Sequence, residues 1–135
     1  MKLNHADVSP DENLADTLIV LDGERPMSWN AFYSGVHWNV RKSEAERVHW
    51  LVREKLDADS GVYTVPVTLT VTAYFAHHPM DASNICAKLY EDALKGFVIW
   101  DDSPAYVDSV TTRSRIDKQR PRVEILVSPV GSLPY

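Results

Sequence analysis

The chain has 135 residues, a formal net charge of −5, 44% hydrophobic and 24% charged residues, and a single cysteine. That length suits one domain able to bury a core without staples, and the lone cysteine excludes a disulfide framework. No apolar run approaches the roughly 18 residues of a membrane span, and the opening MKLNHADVSPDENLAD lacks the basic-then-apolar order of a signal peptide, so the cytoplasm is the expected location.

The acidity is unevenly spread. From Met1 to Glu24 six acidic residues stand against Lys2 alone, whereas Thr111 to Arg122 holds Arg113, Arg115, Lys118, Arg120 and Arg122 against Asp117. An acidic net charge argues against a nucleic-acid partner, but a dipolar chain can still bind a polyanion locally.

Met1 to Asp16 is polar and aperiodic and reads as a flexible acidic tail. Thr17 to Gly23 is a short apolar run closed by Asp-Gly, a first strand. Glu24 to Ser34 reads as a loop whose aromatics, Trp29, Phe32 and Tyr33, serve either as a binding surface or as a plug for one end of the core. From about Asn39 to Leu56 the period is helical, with Val40, Ala45, Val48, Leu51, Val52 and Leu56 on the core face. Trp50 projects on the opposite side among Lys42, Ser43, Glu46, Arg47 and Arg53, where it calls for a subunit, a nucleic acid or the N-terminal arm as cover.

Asp57 to Gly61 is turn chemistry. Tyr63 to Ala76 alternates apolar residues with Thr and Tyr and is the clearest strand, with Pro66 placing its start at an edge or bulge. Between Asp81 and Asp102 the spacing first predicts an amphipathic helix, with Asn84, Lys88, Glu91, Asp92 and Lys95 on one side and Ile85, Cys86, Leu89, Tyr90, Ala93 and Leu94 on the other. Gly96 is its left-handed stop, and Phe97 to Trp100 reads as a buried strand. Tyr106 to Arg115 and Val123 to Val127 read as two further strands forming a C-terminal hairpin with a basic tip, before a frayed end from Pro129 to Tyr135.

Asp81, Asp101 and Asp102, with Ser83 and Asn84 as neutral donors, form an oxygen set suited to a hard divalent cation. The same aspartates also suit a helix cap and a turn. Cys86 on the apolar face reads as a buried free thiol. His77 and His78, adjacent at a strand end, point opposite ways and offer no joint zinc site. The five basic residues from Arg113 to Arg122 could contact several phosphates or simply solvate a loop.

Asp81, Asn84, Lys88, Asp92-Ala93-Leu94 and Asp101-Asp102, in that order after a strand, resemble the RusA-type Holliday junction resolvases of bacteria and phages. The family pattern is Asp-x-Asp-Asn, a lysine one turn on, Asp-Ala-Leu, then an apolar segment ending in Asp-Asp. Pro26, Ser28, Asn30 and Tyr33 resemble the family's early Pro-x-Ser-x-Asn-x-x-Tyr segment. The resemblance implies a homodimeric, Mg²⁺-dependent endonuclease, with Mn²⁺ as a substitute, that nicks four-way DNA junctions symmetrically. Carried over by position, Asp81 and Asp102 would be metal ligands and catalytic residues, Lys88 the catalytic lysine, Asp101 and Ser83 supporting ligands, and Asn84 the residue shaping the helix start. DNA contacts would come from Arg113, Arg115, Lys118, Arg120 and Arg122, and from Lys42, Arg47 and Arg53.

Two positions depart from the family. Ser83 stands where a second aspartate is expected, and one extra residue separates Asn84 from Lys88, which turns the lysine by about 100° on a regular helix. The first departure motivates an alternative, a catalytically weakened or inactive protein that binds branched DNA. The acidic net charge motivates a third, an interaction domain without nucleic acid. The expected architecture is a single α+β domain over 17–128, a mixed sheet of four or five strands with two helices packed on it and paired as a homodimer, flanked by tails at 1–16 and 129–135.

Overall fold

The period-2 stretches pair as half-buried strands should. In the computed structural model, which describes residues 15–33, 38–56 and 61–130, the elements are β1 (Thr17–Asp22), α1 (Trp29–Tyr33), α2 (Trp38–Arg53), β2 (Val67–Phe75), a 3₁₀ turn (Ala82–Asn84), α3 (Lys88–Leu94), β3 (Val107–Ile116) and β4 (Arg122–Pro129). The fold is α+β with one four-stranded mixed sheet in the order β1-β4-β2-β3. Three α-helices, one more than expected, are present among the described residues. None of the helices is long and apolar enough to cross a membrane.

β4 runs antiparallel to both β1 and β2, and β3 runs parallel to β2. Parallel neighbours cannot be joined by a tight turn, so the chain from β2 to β3 crosses over the sheet and carries α3 with it. The expected C-terminal hairpin is therefore corrected: β2 lies between β3 and β4, and the segment 117–121 crosses the end of β2. Burial explains the order. Val123, Ile125 and Val127 of β4 and Val67, Leu69, Val71, Ala73 and Phe75 of β2 are buried, as interior strands require. β3 is rich in Ser, Thr and Arg and mostly exposed, which suits an open edge. The irregularity expected from Pro66 appears as a register shift between Val67 and Thr68.

All three helices contribute to one core on a single face of the sheet. Only the C-terminal half of α2 docks, through Val48 and Val52, and Val40, expected in the core, is 48% exposed. The cause is length: α2 packs mainly on α3, whose seven residues span about 10 Å against about 24 Å for sixteen. Trp50 is 65% exposed.

Two local expectations fail for one reason. Ile85 and Cys86 are buried, but both lie outside the helix, and Ile85 is extended. Ile85 bridges Ser28, and the Cys86 N–H donates to the Met27 carbonyl at 3.0 Å. Those long-range bonds displace the first helical turn, so α3 starts at Lys88. Phe97 to Trp100 is a turn, not a strand. Both sides of β2 are already paired, and the run buries Val98 and Ile99 while exposing Phe97 and Trp100. A short apolar run alone cannot distinguish these outcomes. Gly96 is left-handed as expected, at φ +81°, but Lys95 is already extended at φ −61° and ψ 129°, so the glycine serves a type II turn from Leu94 to Phe97 rather than capping the helix.

At the chain ends, Pro129 closes β4 and the Val130 N–H donates to the Pro66 carbonyl at 2.9 Å, so the paired region reaches past the expected boundary at 128. The acidic tail up to residue 14, most of the turn at 57–61 and the end from 131 lie outside the described residues.

Candidate functional site

The turn after α3 folds the chain back under the helix. The Leu94 carbonyl accepts N–H groups from Phe97, Val98 and Ile99, and Tyr63 donates to the Val98 carbonyl, fixing the loop to the approach to β2. The result brings Asp102 against the polar side of α3. Its Oδ2 lies 2.9 Å from Lys95 Nζ and 3.6 Å from Lys88 Nζ. Asp92 Oδ1 completes the group at 3.4 Å from Lys88 and 3.3 Å from Lys95. Two aspartates and two lysines thus alternate in one partly exposed cluster.

Asp102, Lys95 and Lys88 are tuned by their neighbours. The Lys95 hydrogen bond holds the Asp102 carboxyl below the usual carboxylate range, and Asp102 raises Lys95 in return. Burial pulls the Lys88 ammonium down, but Asp92 and Asp102 outweigh it, so Lys88 stays protonated at neutral pH. Burial, reinforced by Asp102, pushes the Glu91 carboxyl up.

The two segments that carry the family resemblance also meet. Ser28 Oγ accepts the Ala31 N–H at 2.9 Å and caps α1. Asn84 Oδ1 accepts the Asn30 N–H at 3.2 Å across 54 positions. Ser28, Asn30, Asn84 and Ile85 form one junction beneath α1. Tyr33 stacks on Trp29 at 5.4 Å, with Phe32 edge-on to both rings, and stays exposed. The extra residue between Asn84 and Lys88 is absorbed by the extended step at Ile85, because Asn84 belongs to the 3₁₀ turn and Lys88 opens the helix.

Asp81 enters that 3₁₀ turn, its backbone carbonyl accepting the Asn84 N–H, while its side chain caps nothing. It lines an open cleft of about 600 Å³ with Pro79, Met80, Ala82, Ser114, Arg115 and Ile116. The first aspartate therefore faces the end of β3, and Asp102 faces the lysines of α3. Ser83 and Asp101 are exposed.

The basic residues divide by partner. Arg120 pairs with Asp22 at 2.8 Å, and Arg122 pairs with Asp117 and Glu124 while its guanidinium lies 3.7 Å from the Tyr74 ring centre. Arg113, Arg115 and Lys118 form no ion pair among the described residues and are exposed. By register, Arg113 and Arg115 share with Thr72 and Tyr74 the sheet face opposite the helices. On α2, Arg47 is engaged by Glu24 and Glu44, and Arg53 lies 3.5 Å from the Phe97 ring centre. Lys42 is exposed, with its ammonium 6.0 Å from the Trp38 ring centre.

Sequence reasoning missed Glu24. Its buried carboxylate receives both Arg47 guanidinium nitrogens, at 2.8 and 2.9 Å, and the Tyr90 phenol at 2.8 Å. Nothing local signals this, since a glutamate after Asp-Gly looks like a solvated loop residue; only its distant partners reveal its place.

The donors suit Mg²⁺ in kind, being carboxylate, hydroxyl and amide oxygens. Asp102 is at present satisfied by two ammonium groups, and among the described residues no three His, Cys, Asp or Glu side chains gather closely enough to cage a metal ion. A bound cation would therefore rely on one or two carboxylates plus water and phosphate, the usual Mg²⁺ arrangement. No known protein-family model matches the chain, and a search of curated proteins finds no match.

Proposed function

We propose that the protein is a divalent-metal-dependent endonuclease for branched DNA, of the RusA type, acting on four-way junctions as a homodimer. The observation that carries this reading is Lys88 Nζ 3.6 Å from Asp102 Oδ2, which joins the lysine and late aspartate of the resemblance across a turn that neither residue predicts. The meeting of Asn30 with Asn84 supports it independently, because it unites the two motif segments.

In this reading Asp81 and Asp102 are the carboxylates that would hold Mg²⁺, and Ser83 and Asp101 their supporting oxygen donors. The cation, when bound, supplies Lewis acidity to the scissile phosphate and lowers the pKa of water. Lys88, kept cationic by Asp92 and Asp102, donates to a non-bridging phosphate oxygen and stabilises the charge that builds in the transition state. Arg113, Arg115 and Lys118 neutralise backbone phosphates of the junction arms and supply affinity without sequence readout.

The second reading is a junction-binding protein without cleavage. It is favoured by Ser83, which removes one formal charge from the metal site, and by the ammonium groups that occupy Asp102. A labelled synthetic four-way junction incubated with and without Mg²⁺ separates the two. Paired symmetric nicks lost in Asp102→Asn support the nuclease. A gel shift without cleavage, with cleavage gained in Ser83→Asp, supports the binder. No shift at low salt rejects both.

A further inference from the structure

We propose that α1 and the overhanging half of α2 form a stacking platform for unpaired DNA bases, with Tyr33 as the exposed ring and Arg41 and Lys42 as the cations for the flanking phosphates. The inference rests on the proposed reading only in taking DNA as the polymer, and it requires neither metal nor cleavage. The rings of Trp29 and Tyr33 stack at 5.4 Å and 6° from parallel, and Phe32 stands edge-on to both, at 5.9 and 5.2 Å. Trp29 and Phe32 pack on the core, whereas Tyr33 is 64% exposed, so the outer ring of a built stack faces solvent. The Ser28 cap and the bond between Asn30 and Asn84 fix α1, which holds the rings in place before any ligand arrives.

The charge comes from α2. Trp38, Arg41 and Ala45 continue, at steps of three and four, the stripe on which Val48 and Val52 are buried. Beyond the reach of α3 that stripe stays open, with Trp38 58% exposed and Ala45 exposed. Arg41 leans over α1, its guanidinium 5.9 Å from the Phe32 ring centre, and the Lys42 ammonium lies 6.0 Å from the Trp38 ring centre. Glu44, the nearest acid in sequence, is taken by Arg47, and neither Arg41 nor Lys42 forms an ion pair among the described residues. Rings and unpaired cations thus share one surface, the pattern that suits bases and their phosphates. A duplex hides its base faces, so the platform fits bases that are unpaired, at a branch point or along a single strand. An apolar protein surface would leave both cations without counter-charge.

The test is fluorescence anisotropy of the full chain with a labelled oligothymidylate of about 12 nucleotides, against a blunt duplex of the same length. Tyr33→Ala is expected to weaken oligothymidylate binding about five- to a hundredfold, the loss of one stacked base, and to leave duplex binding unchanged. Tyr33→Phe, which keeps the ring, is expected to bind as the parent does. Arg41→Gln is expected to reduce the salt slope on the single strand by about 0.7. Equal losses on both DNAs in a Tyr33→Ala protein that melts with the parent, or no loss on either, overturn the inference, as does an unchanged slope in Arg41→Gln. A parent that binds a four-way junction but no oligothymidylate overturns it and leaves the nuclease reading standing. Oligothymidylate bound through Tyr33 by a protein that never nicks a junction rejects that reading and leaves the platform. Self-association lost in Tyr33→Ala at unchanged oligothymidylate affinity, read by sedimentation, assigns the surface to a second copy and overturns the inference.

Discussion

Glu24 and Tyr90 lie 66 positions apart and share a buried hydrogen bond of 2.8 Å, the phenol donating to the carboxylate. Arg47 closes the other side of that carboxylate, so one side chain ties the end of β1 to α2 and α3. Burial and the Glu24 charge together push the Tyr90 phenol far above its ordinary value, so it remains a donor at any working pH.

Glu24→Ala strands a buried phenol and frees Arg47, and is expected to cost about 1–3 kcal/mol. Tyr90→Phe leaves the ion pair intact and is expected to cost only about 1 kcal/mol. Urea unfolding at a common slope measures both, and a smaller loss for Glu24→Ala than for Tyr90→Phe would contradict the ranking.

Gly96 is left-handed at φ +81°, and a Cβ there would meet nothing within 4 Å. The cost of Gly96→Ala is therefore backbone strain alone, about 1–2 kcal/mol. Thermal unfolding should report a modest drop in Tm, since no clash adds to the strain.

The acid limb of stability should follow the ion-paired aspartates. Arg122 beside Asp117 lowers its carboxyl from 3.8, and Arg120 does the same to Asp22, as Lys95 does to Asp102. A carboxyl lowered on folding stabilises the fold above its unfolded value and loses that contribution as pH falls through the folded one. Glu91, raised mainly by burial, works in the opposite sense and is relieved by protonation. Three against one, stability should decline below about pH 4. Asp117→Asn should lose stability at pH 6 and little at pH 2.5. An equal loss at both would show that the charge pair with Arg122 is not its source.

On the proposed junction-binding reading, Arg113→Ala and Arg115→Ala should each weaken binding and reduce the salt slope by about 1, as expected for one lost phosphate contact. Arg122→Ala should lower Tm instead, because its guanidinium is committed to Asp117, Glu124 and Tyr74. Fluorescence anisotropy across a salt series, paired with melting curves, distinguishes the two classes.

On the proposed nuclease reading, Lys88→Gln retains junction affinity while cutting the nicking rate by about 10²–10³, the usual loss for one transition-state donor. Loss of binding in parallel would make Lys88 a ground-state contact.

The strands were legible because half-burial writes itself into period-2 alternation, which located β2 and β4, although it overran the start of β2 by four residues, from Tyr63 to Val67. The same local signal could not order them. β3 and β4 look like a hairpin in sequence, yet the fully apolar inward face of β2 takes the position between them and leaves the polar β3 at the edge. For Phe97 to Trp100 strand and turn are equally apolar, and the saturation of both sides of β2 denies the run a place beside that strand.

For the site, residue order alone singled out Asp81, Lys88 and Asp102, since motif spacing survives in one dimension. What that order could not contain is the company each residue keeps. The turn after Gly96 puts Lys95 nearer to Asp102 than Lys88, and the crossover to β3 sets Asp81 on the same open cleft as Arg115. Glu24 meets Arg47 and Tyr90 only when β1, α2 and α3 have packed. Side-chain chemistry and local periodicity are properties of the chain, whereas ion pairing depends on distances set by the packed backbone. The sequence by itself determined which groups are present and most of the elements that carry them; the tertiary structure alone decided which charges neutralise one another.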